Sequence, residues 1–122
     1  MTFKQFIQTT NTILYSKKWR HTVIFYRDYF MLPVLFSNEW FFEFELTETS
    51  RLSIANEKKA TIKSSKGAGI TLTFQVEDVH AARQFFLDKG LTPGSIKAHA
   101  WGARVFYLWD PEGNRIEVWS AA

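Results

Sequence analysis

The sequence predicts an α+β fold: two tandem βαβββ modules forming a cup-shaped mixed sheet, with helices on the outer face. Three observations lead there. Short strand candidates precede stretches of helical period, the same order of elements occurs twice, and the two copies register when the chain is shifted by roughly sixty residues. Phe25-Tyr26 then falls on Phe85-Phe86, Asp28 on Asp88 and Pro33 on Pro93.

The elements follow in order. "NTILYS", Asn11 to Ser16, is a short strand, and Trp19, Val23, Tyr26 and Phe30 after it share one helical face. Beyond Pro33 come strands Val34 to Ser37, Trp40 to Leu46 and Arg51 to Ala55. The polar stretch "NEKKATIKSSKG", Asn56 to Gly67, reads as a solvated connection. "TLTFQV", Thr71 to Val76, opens the second copy. Asp78 is a good N-cap, Val79, Ala82 and Phe86 make an apolar stripe, and Gly90 stands where a helix stops. After Pro93 the strands are Ser95 to Ala98, Arg104 to Trp109 and Arg115 to Trp119, with Asp110-Pro111-Glu112-Gly113-Asn114 as the last turn. This is one domain over 1–122, with module one about 9–55, a linker at 56–69 and module two about 70–120. A βαβββ unit covers one sheet face with its helix and leaves the other open, so two units side by side can make a cup that admits a ligand.

Composition narrows the function classes. Hydrophobic content of 46% and charged content of 22% describe a globular protein. With no cysteine there is no disulfide, no thiolate metal site and no cysteine nucleophile. The N-terminal "MTFKQFIQTTN" carries no apolar run of signal or membrane length, so a cytoplasmic location and no membrane partner are expected. The formal charge of +3 is scattered rather than laid out as a stripe, so no nucleic-acid partner is expected. Aromatic content of 17%, with 12 Phe and 5 Trp, suits either a packed core or a pocket for flat ligands.

Strand alternation sorts the final hairpin into two faces. Tyr107, Trp109, Arg115, Glu117 and Trp119 share one, and Phe106, Leu108, Ile116 and Val118 share the apolar other, which belongs under the helix. In "EWFFEFEL", Trp40, Phe42, Phe44 and Leu46 form the helix-facing row, with Phe41, Glu43 and Glu45 opposite. The two carboxylates face the cup, solvent or a partner subunit, and the cost of unpaired buried charge favours the latter two. Glu117 has two readings: a partner for a nearby base, or a cup-floor acceptor for a ligand that Tyr107 and the indoles stack against. Trp101-Gly102 is either a loop anchor or a rim closing over a flat ligand.

"FYRDYF" (25–30), "FQVEDVHAARQFFLDKG" (74–90) and above all "WGARVFYLWDPEGNRIEVW" (101–119) resemble the vicinal oxygen chelate (VOC) superfamily. That superfamily holds glyoxalase I, extradiol dioxygenases, fosfomycin-modifying enzymes and bleomycin-binding resistance proteins, and the resemblance spans about residues 9–119. It implies four metal-ligand positions, which fall here on Asn11, Ser53, Thr71 and Glu117. In the metal-using members the first-strand positions are His, Gln or Glu; here they are Asn and Thr. A first-row divalent ion needs three or four imidazole or carboxylate donors, and this set offers one. His21, His80 and His99 occupy none of the four positions.

The expectation is therefore a metal-free small-molecule-binding protein of the glyoxalase/bleomycin-resistance type, without cofactor, metal or catalytic residues. Its ligand is aromatic or amphipathic, and its binding residues are Asn11, Ser53, Thr71, Trp101, Tyr107, Trp109, Glu117 and Trp119. The resemblance also implies a homodimer. A divergent metal-dependent lyase, isomerase or dioxygenase and an interaction domain with a filled cup are the alternatives. Phosphate-binding glycine loops and Ser-His-Asp or Cys-His motifs are absent from the sequence.

Overall fold

The computed structural model describes residues 1–121. The chain forms two compact units, Met1–Ser64 and a second from Ser65 onward, and each holds one βαβββ module. The fold is α+β.

In module one the strands are β1 (Thr10–Ser16), β2 (Val34–Ser37), β3 (Phe41–Thr47) and β4 (Ser50–Asn56), with helix α1 (Trp19–Ile24) after β1. Sheet order is β1-β4-β3-β2, in which β1 runs parallel to β4 and the other pairs are antiparallel. The helical period extends as expected from Trp19, but the helix does not stay α: Phe25–Tyr29 forms a π turn, with Phe30 N–H bonded to the Phe25 carbonyl. The extra residue lets Phe25 and Tyr26 both be buried, and their rings meet edge to face at 5.1 Å. Met31 at φ 57° and a Leu32 N–H to Tyr26 carbonyl bond then end the helix ahead of Pro33.

The helix-facing side of this sheet is Leu14, Leu52, Ile54, Phe42 and Phe44, all buried but the half-buried Phe42. Trp19 packs on Phe42 at 5.9 Å and donates its Nε1–H to the Ile54 carbonyl, while Tyr26 packs on Phe44. Trp40, expected in the same row, precedes the strand instead. Its N–H bonds Asn38 Oδ1 in the β2–β3 turn, and its ring sits edge-on to Phe41.

Module two repeats the plan with β5 (Thr71–Gln75), α2 (Val79–Asp88), β6 (Lys97–Ala98), β7 (Ala103–Trp109) and β8 (Arg115–Ala121), in sheet order β5-β8-β7-β6. Asp78 caps α2 by accepting the His80 and Ala81 N–H groups, and Gly90 follows the helix at φ 84°. Phe86 packs on Phe106, and Ile116, Val118 and Leu108 complete the buried layer. The edge strand is shorter than expected. Ser95 and Ile96 are unpaired because Gly94 N–H takes the Tyr107 carbonyl, leaving Lys97–Ala98 to pair with Val105 and Arg104.

The hairpin turn is built on one carboxylate. Asp110 Oδ1 accepts the N–H groups of Glu112 and Asn114, and Oδ2 accepts the Asn114 side-chain amide. The preceding segment packs against it so tightly that a Cβ on Gly67, itself at φ 85°, would lie 2.0 Å from the Gly113 carbonyl oxygen.

Candidate functional site

Each sheet has one face under its helix and an opposite, open face, buried in part at Ser53, Ala55 and Val105, which holds the polar and aromatic side chains of interest. In module two the antiparallel register sets Tyr107 across from Glu117, Trp109 across from Arg115 and Val105 across from Trp119. The parallel register on the other side of β8 adds Thr73 next to Glu117 and Thr71 next to Arg115. These pairings put Thr71, Thr73, Tyr107, Trp109, Arg115, Glu117 and Trp119 on one surface.

A connected network runs across it. Thr73 Oγ1 donates to Glu117 Oε1 at 2.6 Å, and the Tyr107 hydroxyl donates to Glu117 Oε2 at 3.2 Å. Desolvation, then the bond to Glu117, raises the Tyr107 pKa above its ordinary value, which keeps the phenol a donor. Arg115 Nε donates to Thr71 Oγ1 at 3.0 Å, and its guanidinium lies 5.0 Å from the Tyr107 ring centre. Trp109 is 57% exposed beside it. Trp101, in the β6–β7 loop, meets Trp119 edge to face at 5.6 Å, and the His99 ring lies 5.7 Å from Trp101 on its other contact.

Module one carries the corresponding surface with different chemistry. Ser53 is fully buried and donates to Asn11 Oδ1 at 2.8 Å. Glu43 and Glu45 are on this open face, across from Ser53 and Arg51, and Arg51 Nη1 meets Glu43 Oε2 at 2.9 Å. Glu43 thus escapes the cost of an unpaired carboxylate by pairing within its own sheet.

The eight sequence-predicted residues therefore sort by module. Asn11 and Ser53 bond each other in module one. In module two, Tyr107 and Glu117 share the central network, Trp101 and Trp119 form an indole pair, and Thr71 and Trp109 flank Arg115. Thr73, Arg115, Arg51 and Glu43 complete these clusters. Thr73 was legible in principle, since a parallel β5–β8 pairing sets it rather than Thr71 beside Glu117.

The donor set does not fit a divalent metal. The Ser53 hydroxyl is committed to Asn11, and both Glu117 oxygens already accept hydrogen bonds. Among the described residues no three His, Asp or Glu side chains come together as a metal-holding group. No helix among them is long and apolar enough to cross a membrane.

Comparison with known proteins agrees with this architecture. Residues 9–122 match the family described as the glyoxalase-like domain, and the chain belongs to that family, within the VOC superfamily. Among solved structures it is similar to a lactoylglutathione lyase from Agrobacterium tumefaciens, at 19% identity over 91% of each chain with a TM-score of 0.75. It is also similar to a glyoxalase/bleomycin resistance protein from Catenulispora acidiphila, at 18% identity over 93% of this chain and 98% of that one, TM-score 0.75. A glyoxalase/bleomycin resistance protein/dioxygenase from Nocardioides is 15% identical over 98% of this chain and 89% of its own, TM-score 0.77. At these identities the likeness establishes the fold. Comparison with curated protein sequences gave no match.

Proposed function

We propose that this glyoxalase-like domain is a metal-free small-molecule-binding protein whose ligand is aromatic or amphipathic. The observation that carries the reading is the open face of module two, where exposed Trp109 and half-buried Tyr107 and Trp119 surround a satisfied polar network. Indole and phenol rings give a flat ligand stacking area at low conformational cost, and the hydroxyls and guanidinium orient it. The donor set supports binding rather than Lewis-acid catalysis, because the transferred positions offer one carboxylate and their polar groups are engaged within the chain, Ser53 with Asn11, Thr71 with Arg115 and Glu117 with Thr73 and Tyr107. In module one the reading gives Asn11 a ligand contact on its own sheet, with the buried Ser53 hydroxyl holding its side chain.

The reading includes a homodimer. Support comes from exposed apolar side chains in module one: Phe3 and Phe6 of the N-terminal turn, and Leu35 and Phe36 on edge strand β2.

Native mass spectrometry of protein purified without chelator, followed by calorimetric titration with 2-naphthamide, tests the function. Metal-free protein, saturable binding and a loss of about tenfold in affinity for Trp109→Ala are expected. Stoichiometric divalent metal, or no saturable binding, overturns it.

A further inference from the structure

We propose that Arg115 is an anion receptor, so that the ligand of the module-two face carries a carboxylate beside its aromatic ring. The inference rests on the reading of that face as a ligand platform and names the class of molecule it takes. It comes from comparing the two copies of the internal repeat. Arg51 in β4 and Arg115 in β8 hold the same register position, each beside the first strand of its module, against Asn11 and Thr71 respectively. The strand on their other side differs. Module one places Glu43 across from Ser53 and Glu45 across from Arg51, whereas module two places Tyr107 across from Glu117 and Trp109 across from Arg115.

Arg51 accordingly finds its anion within the chain, in Glu43 at 2.9 Å. Arg115 does not. Among the described residues it forms no ion pair, and its hydrogen bonding is the Nε–H to Thr71 Oγ1. Glu117, two residues on, turns both oxygens to Thr73 and Tyr107. The remaining guanidinium N–H groups sit on an exposed side chain, stacked on Tyr107 and next to the exposed indole of Trp109. A guanidinium fork matches a carboxylate in two parallel hydrogen bonds, and the ring attached to that carboxylate would lie on the neighbouring aromatics. An aromatic carboxylate thus supplies in module two the charge that Glu43 supplies in module one.

The test is calorimetric titration of the full-length protein with 2-naphthoate and with its neutral isostere 2-naphthamide. Naphthoate is expected to bind about tenfold or more tightly, the worth of a charge-assisted pair, and the gap should narrow as salt is raised. Arg115→Gln should bring naphthoate down to about the naphthamide affinity, lowering naphthoate far more than it lowers naphthamide, while Arg115→Lys falls between. Should Arg115→Gln fail to fold, Arg115→Lys and the salt series decide. Equal binding of the two ligands overturns the anion assignment and leaves the platform standing, as does a preference that survives loss of Arg115. Binding of neither ligand overturns both.

Discussion

Asp110 shows how much a single side chain organises here. It is 5% exposed and accepts from the Asn114 side-chain amide and from the N–H groups of Glu112 and Asn114, which the turn would otherwise leave unsatisfied. Asp110→Ala should destabilise the protein by about 1–3 kcal/mol, read from the shift in urea midpoint. Tyr107 makes a second residue-scale prediction. Its pKa is raised in the folded state, so its contribution to stability is present below the ordinary value of 10.0 and is lost as pH rises through the higher folded value. In an alkaline absorbance titration, Tyr107→Phe should remove a phenol that ionises above its ordinary value of 10.0. Loss of a phenol that ionises at or below 10.0 would contradict the desolvated, Glu117-bonded position of Tyr107. Glu117 itself was ambiguous in the sequence because its two readings differ only in what its neighbours offer. In the structure those neighbours are a threonine and a tyrosine, both donating.

Elements meet at the glycines of module two. Gly67 and Gly113 both have positive φ, and the backbones of the 65–69 segment and the β7–β8 turn touch through them. The clash at Gly67 is with a carbonyl oxygen of the main chain, which cannot swing aside as a side chain would. Gly67→Ala should therefore cost more than the about 1–2 kcal/mol that positive φ alone costs an alanine at an open glycine such as Gly69. A thermal melt decides it, and an unchanged midpoint would mean that this packing is absent. Alternation in the sequence correctly separated Phe106, Leu108, Ile116 and Val118 from Tyr107, Trp109, Arg115, Glu117 and Trp119, because a buried layer tolerates only the first set. It misplaced Trp40, since nothing in the pattern says on which residue a strand begins. The π turn at Phe25–Tyr29 was hidden for a similar reason: a run of aromatics satisfies a period of 3.6 and a wider turn equally well.

At the scale of the whole molecule, assembly is the testable property. The proposed homodimer should sediment as such, and the double variant Phe3→Asp/Phe6→Asp should shift it toward monomer without unfolding either module, since both rings are exposed. A wild-type monomer at all concentrations would remove the homodimer.

The sequence by itself determined the α+β class, the twofold repeat of βαβββ order and the division of each sheet into an apolar and a polar-aromatic face. Periodicity and turn chemistry are local, and they survive without knowledge of which strands pair. It also determined that three of the four metal-ligand positions implied by the superfamily carry weak donors, because residue identity needs no geometry. Only the tertiary structure decided which polar groups are already committed. Ser53 to Asn11, Thr73 and Tyr107 to Glu117, and Glu43 to Arg51 are contacts between neighbouring strands of a sheet, set by register, and the Ser53–Asn11 and Thr73–Glu117 bonds join strands distant in the chain. Register follows from the burial of whole strands, and a single side chain cannot reveal it. That is why Arg51 and Arg115 look alike in the sequence while one has its carboxylate in the fold and the other does not.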